Sequence, residues 1–273
     1  MKNYEWRIGG GQNEVSRLEF GHYSKYYDLL YADKDYSAEA LFVLGRLKRY
    51  QASVRRIVEF GCGTGRHGRL LAGSGCTVIG IDRSSSMIQM ARMAIGERSS
   101  DPGFQCIEGD VRRTQAPGDY DAVISLFHVV GYQISDDDVN AVFANACQHL
   151  GPGGLFLFDV WHAPAVLTLG PTVRIRRVED EHVHVTRIAE PKLLSDRDCV
   201  KVNYTLFVQD KTTGKIVTFG ERHEMRYFTT SQIQMMGMAH GFEMVHVDEW
   251  LTGRPAGTDT WSVCYVLRQT EGR

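Results

Sequence analysis

Ile57-Val58-Glu59-Phe60-Gly61-Cys62-Gly63-Thr64-Gly65-Arg66-His67-Gly68 decides how this chain is read. The apolar run after Arg55-Arg56 predicts a short buried parallel strand ending at Phe60, followed by glycines at every second position. Glycine lets the backbone turn tightly and approach a ligand, and a helix starting at Arg66 would aim its first N–H groups at whatever lies over the loop. Gly61, Cys62, Gly63 and Gly65 therefore belong to a nucleotide-type cofactor site. Gly63-x-Gly65-x-x-Gly68 matches the dinucleotide fingerprint literally, but its first glycine stands away from the strand end. Counting from Gly61 instead puts Arg66 where the third glycine belongs. Glu59, at the strand end, suits a cofactor bearing an ammonium group better than one bearing a pyrophosphate.

Composition narrows the partner. The 273 residues carry 31 Lys+Arg against 33 Asp+Glu, without the basic excess of a phosphate-tracking surface, so a small molecule is expected and nucleic acid is not. No run is long enough to span a bilayer, and the polar residues 1–12, with Gly9-Gly10-Gly11, support neither a signal peptide nor an anchor. Six cysteines without a C-x-x-C pair fit a reduced, cytoplasmic protein. His182-x-His184 shares one strand face but implies no third ligand, so no metal is expected.

Outward from the loop, residues 77–81 predict a second strand ending in Asp82, placed to accept hydrogen bonds from both ribose hydroxyls. Ser84-Ser85-Ser86 offers caps for a helix carrying Met87, Met90 and Met93, and Met87 could line an adenine pocket. A third strand, 104–107, leads to Asp110, a candidate for the adenine amino group, and Val111, whose N–H would meet the ring. The fourth, 120–127, contributes Leu126 and delivers His128 and Tyr132 to the same rim. A fifth, 155–158, ends in Asp159-Val160-Trp161-His162. Ligands of open α/β sheets bind beyond the carboxyl ends of the strands, so these ends share one crevice.

Before the loop, Tyr23, Tyr27 and Tyr31 fall at four-residue steps on one helix face within residues 20–36, expected to form a mobile cover. After Pro164 the pattern changes. Residues 173–187, 199–209 and 215–227 alternate as antiparallel strands, with a hairpin turn at 210–214. A helix over 231–240 and strands 242–249 and 261–267 restore the α/β rhythm. The expected fold class is α/β, with a core of residues 1–160 and 229–273 and an antiparallel β insertion of 161–228. The insertion should cap an acceptor pocket, with Arg174, Arg176 and Arg177 available to an anionic acceptor, and it could support a homodimer contact.

Glu59-Phe-Gly-Cys-Gly-Thr-Gly, Gly80-Ile-Asp82, Glu108-Gly-Asp110 and Leu150-Gly-Pro-Gly-Gly154 resemble successive motifs of class I S-adenosylmethionine (SAM)-dependent methyltransferases. Tyr27-Asp28-Leu29, Lys34-Asp35-Tyr36 and the insertion resemble, more narrowly, the dTDP-amino-sugar N,N-dimethyltransferases of macrolide-sugar biosynthesis. The resemblance implies a Rossmann-like, mostly parallel seven-stranded sheet and a cover over SAM from Tyr27 and Tyr36. It also implies substrate contacts from Trp161 and Arg254. The chain departs from that family where His128-Val129 replaces a Ser-Ser pair and Asp159-Val160 replaces Glu-Pro.

Methyl transfer mainly requires alignment of nucleophile, methyl and sulfur, which supplies roughly 7 to 11 kcal/mol. An amine acceptor must be unprotonated, whereas a hydroxyl needs a base, for which His128 is the first choice and His162 the second. The expected activity is N- or O-methylation of a small molecule. An NAD-dependent oxidoreductase and a non-catalytic SAM-binding module are the alternatives.

Overall fold

The computed structural model describes residues 23–96 and 103–270. The polar residues 1–12 and the first part of the aromatic segment, residues 20–22, lie outside the described residues. In chain order come α1 (Ser24–Leu30), α2 (Tyr36–Tyr50), β1 (Arg56–Phe60), α3 (Arg66–Gly73), β2 (Thr77–Asp82), α4 (Ser85–Gly96), β3 (Phe104–Glu108) and β4 (Tyr120–Ser125). They are followed by α5 (Asp136–His149), β5 (Leu150–Trp161), α6 (Ala163–Leu169), β6 (Arg174–Glu179), β7 (Val183–Leu194), β8 (Cys199–Asp210), β9 (Ile216–Arg226), α7 (Thr230–Ala239), β10 (Phe242–Glu249) and β11 (Ser262–Gln269). No described helix is long and apolar enough to cross a membrane.

Among the described residues, seven strands form one sheet in the order β10-β11-β5-β4-β1-β2-β3. β11 runs antiparallel to β5 and β10, and the other pairs are parallel. Order reverses beside β1, the switch point at which a crevice opens. The near-continuous apolar run of β1 is explained by its two covered faces. Ile57 packs with α2, α3 and α4, while Val58 and Phe60 pack with α5 and α7. Each such burial stabilises by about 1.5 to 3 kcal/mol. Start signals are equally local. The Asp35 side chain accepts the Ala38 N–H to cap α2, and Thr229 with Gln232 forms a capping box on α7.

The second sheet has the order β6-β7-β8-β9 and is antiparallel throughout. Residues 173–187, expected as one strand, contain a hairpin: the Asp180 carboxylate accepts the N–H of His182 (2.7 Å) and Val183 (2.9 Å), closing an Asx turn between β6 and β7. α6, also unexpected, begins where His162 leaves β5. The chain departs and returns at one place, since His162 and Phe228 form a parallel bridge.

Beneath the glycine loop the packing is tight. Side chains built on Gly65 and Gly68 would run into Phe104 of β3, at 2.5 and 2.3 Å, so these two glycines serve packing. Glu59 is fully buried there: Gly68 N–H donates to it, and His67 Nδ1 lies 3.8 Å away. Desolvation, with the negative Asp82 nearby, pushes the Glu59 carboxyl up to about 8. His67 Nε2 meets Glu39 at 2.7 Å, and Glu39 also holds Lys34 Nζ at 2.9 Å.

Two outcomes are expected. A Cβ on Gly80 would sit 2.6 Å from Cys62 Cβ, a clash that only a backbone shift relieves, so Gly80→Ala should cost about 1 to 3 kcal/mol in urea unfolding. For Glu59, the folded chain retains a proton that the unfolded chain has released, so its contribution to stability falls as pH rises toward about 8. Glu59→Gln should remove a decline of up to about 1.4 kcal/mol per pH unit, read from unfolding curves between about pH 5 and pH 8. Parallel pH profiles for the two proteins would show Glu59 to be charged in the fold.

Candidate active site

A cavity of about 460 Å³ opens at the carboxyl ends of the strands and runs beneath the second sheet. At its first end lie Gly61, Gly63, Asp82, Met87, Asp110, Val111 and Leu126. Gly61 and Cys62 donate their N–H groups to Ile81 O (2.7 and 3.2 Å), turning the loop back over β2. Gly63 N–H donates to Asp82 Oδ2 at 2.8 Å and Ser84 N–H to Oδ1 at 2.9 Å. Gly63, at φ +52, has open space where a side chain would stand, a cradle that any Cβ would fill. The Asp82 oxygens keep lone pairs for ribose hydroxyls, and burial raises the carboxyl above its ordinary value. Met87, Val111 and Leu126 offer apolar walls for a base. Asp110 is already gripped: Arg112 Nε bonds both its oxygens (2.9 and 3.1 Å) and holds the carboxyl below its usual range. These residues fit an adenosyl cofactor, with Asp110 shared between Arg112 and any amino group above it.

The middle of the cavity belongs to the turn after β4. Phe127 (φ 65) and His128 (φ 64) both adopt the left-handed region, at about 1 to 3 kcal/mol each for side chains that prefer other backbones. Buried Asp159, near the end of β5, holds this turn. Its Oδ1 accepts the His128 N–H at 3.3 Å, and its Oδ2 lies 2.7 Å from His128 Nδ1. Against the upward push of burial, the imidazole brings the Asp159 carboxyl below its ordinary value. Sequence reading missed Asp159 as a site residue, although it stands beside the substitution that marks His128.

At the far end, aromatic walls come from Tyr23, Tyr27, Tyr31, Tyr132, Trp161, Tyr204 and Trp261. Tyr132 OH meets His223 Nδ1 at 2.8 Å, and His223 Nε2 meets Glu221 Oε1 at 3.1 Å. Arg187 donates to the hydroxyls of Tyr23 (2.7 Å) and Tyr31 (3.0 Å). α1 thus lies against the second sheet, with Tyr23 and Leu30 packed on Val185, Leu206 and Val208. Arg174 and Arg176 line the cavity as expected, and Arg176 pairs with Asp33. Arg177, on the other face of β6, does not line it, and Arg187 on β7 does. Glu221, His223 and Arg187 were missed because alternation marks an inward face without stating that the face is polar.

Six expected site residues stand elsewhere. Glu59, Cys62 and Gly65 lie beneath the loop in the tight packing with β2, β3 and α3, outside the cavity lining. Tyr36 packs on His67, ring centroids 5.0 Å apart, with Arg66 against its ring. His162 is buried toward the backbone of Gly257 and Thr260, where desolvation lowers its basicity, so it is no base for the cavity. Arg254 is 70% exposed and engages Glu249 at 2.7 Å, because the loop after β10 turns it away. The remaining expected residues, Tyr23, Tyr27, Gly61, Gly63, Asp82, Met87, Asp110, Val111, Leu126, His128, Tyr132, Trp161 and Arg174, share the one cavity.

Residues 57–154 match the family model described as a methyltransferase domain. The chain is 26% identical over 239 residues, 87% of its length and 88% of the relative's, to a dTDP-3-amino-3,6-dideoxy-alpha-D-glucopyranose N,N-dimethyltransferase of Streptomyces fradiae. Its fold is shared with a sugar N-methyltransferase of Streptoalloteichus (TM-score 0.79, 19% identity, 98% of this chain and 100% of that one). It is shared also with a SAM-bound amino pentose methyltransferase of Micromonospora echinaspora (TM-score 0.73, 24% identity, 94% and 100%). With a methyltransferase domain matched over residues 57–154, relatives of near-equal length and a glycine loop that fits an adenosyl group, the chain is similar in sequence and fold to SAM-dependent methyltransferases.

Proposed function

We propose that this enzyme methylates a small molecule that enters beneath the second sheet and bears an anionic group. One observation carries the reading: a single cavity is lined by the glycine loop and Asp82, by His128 and by Arg174, Arg176 and Arg187. SAM, when bound, supplies a methyl group already activated on a sulfonium. Gly61, Gly63 and Asp82 would hold its nucleoside, and Met87, Val111 and Leu126 its base. Tyr27 on α1 and Tyr31 at its C-terminal end, with ring centroids 4.8 Å apart, would close over the reacting centre and exclude water. Trp161 and Tyr132 would orient the acceptor while the arginines meet its negative charge, in keeping with relatives whose names specify dTDP-linked amino sugars. The edge strand β9 exposes Ile216 and Val217, which supports self-association of two copies, visible as a dimer in sedimentation.

The cofactor half is tested by calorimetry. S-adenosylhomocysteine should bind and NAD should not. Asp82→Ala, losing charge-assisted hydrogen bonds of about 1.5 to 3 kcal/mol, should weaken S-adenosylhomocysteine at least roughly tenfold. A folded variant with unchanged affinity would take Asp82 out of the site. In the centre, His128→Asn should lower turnover by about 10² to 10⁴-fold with cofactor affinity near wild type. Full turnover in that variant would leave His128 as a wall residue only.

A further inference from the structure

We infer that the atom methylated is a hydroxyl oxygen, with His128 as its base and Asp159 as the residue that positions that base; the inference rests on the methyltransferase reading above. Asp159 reaches His128 twice, through the backbone N–H at 3.3 Å and through Nδ1 at 2.7 Å. A carboxylate 2.7 Å from Nδ1 favours the imidazole proton on that nitrogen, which would leave Nε2 as the lone-pair acceptor. Consecutive left-handed residues at Phe127 and His128 are held against their own preference, and the geometry so retained is that of an oriented base.

An amine acceptor would have little use for such a device. An aliphatic amine with a pKa near about 10 presents roughly one neutral molecule in a thousand at pH 7 without any base, and that molecule is a competent nucleophile. A hydroxyl becomes one only as its proton leaves, which requires an acceptor within hydrogen-bond reach. In the step, the acceptor oxygen uses a lone pair to form the bond to the methyl carbon. The carbon–sulfur bond pair stays with sulfur, and the hydroxyl proton passes to His128 Nε2, to be released to solvent afterwards.

Two measurements decide. In the first, long-range 15N–1H spectra of histidine-labelled protein bound to S-adenosylhomocysteine, with His128→Asn to assign the signal, should show neutral His128 protonated on Nδ1. Asp159→Asn, if it still binds S-adenosylhomocysteine, should move population to the Nε2-protonated form. Neutral His128 protonated on Nε2 in the wild type overturns the inference, and this readout needs neither turnover nor a folded variant at position 159. In the second, methyl-13C-labelled SAM is incubated with the enzyme and a bacterial methanol extract. A labelled methoxyl product, reduced at least roughly tenfold by Asp159→Asn, supports it; a labelled N-methyl product overturns it. If no labelled product forms, the methyltransferase reading itself fails and this inference falls with it, whatever the tautomer.

Discussion

One carboxylate ties together the end of the sheet on which the site is built. Asp82 accepts N–H groups from Gly63 and Ser84 on opposite oxygens, so the loop after β1 and the start of α4 are set relative to each other by a single side chain. Its position is fixed by β2, which the parallel register with β1 holds from Arg56 against Thr77 to Phe60 against Ile81. The close approach needs missing side chains. Gly61 would otherwise collide with Val129, and that residue follows the strained His128. Loop, clamp and base therefore adjoin one another, and a shift in any of them moves the others.

What could be read from the sequence was local. The glycine loop, Asp82 at the end of β2 and the serines offered as caps before α4 each depend on residues a few positions apart or on a strand's own period. The strands β10 and β11 were legible for the same reason. The Asp180 turn was local too, but charged residues there continue the alternation, and the period alone did not break. Long-range juxtapositions were out of reach. Tyr132 and His223 meet across 91 residues, and Asp159 meets His128 only because β4 and β5 are neighbours in the sheet. Side-chain direction was the other gap. Glu59 follows its strand inward to Gly68 and His67, and Arg254 follows its loop outward to Glu249.

The second sheet gives the cavity a character that the first cannot. Parallel strands covered by helices on both faces present apolar surface, and their polar chemistry is confined to their ends. An antiparallel sheet can set polar residues among the apolar ones on its inward face, all along its strands. Here that face carries Glu221, His223, Tyr204 and Arg187, with α1 supplying Tyr23 and Tyr31 to complete the bonds. Such a network, buried and interlinked, keeps its donors and acceptors in fixed directions.

The single bridge between His162 and Phe228 has an evolutionary consequence. Ala163 N–H donates to Phe228 O at 2.8 Å and Phe228 N–H to Trp161 O at 2.9 Å, so everything between is an excursion whose two ends are stitched together. Doubling the length of a flexible closed excursion costs only about 0.6 kcal/mol in chain entropy. The roof can thus be lengthened, shortened or exchanged while the register of β5 with β4 and β11 stays as it is. A lineage can try new acceptors by remodelling this interchangeable part, leaving the machinery that grips the methyl donor untouched.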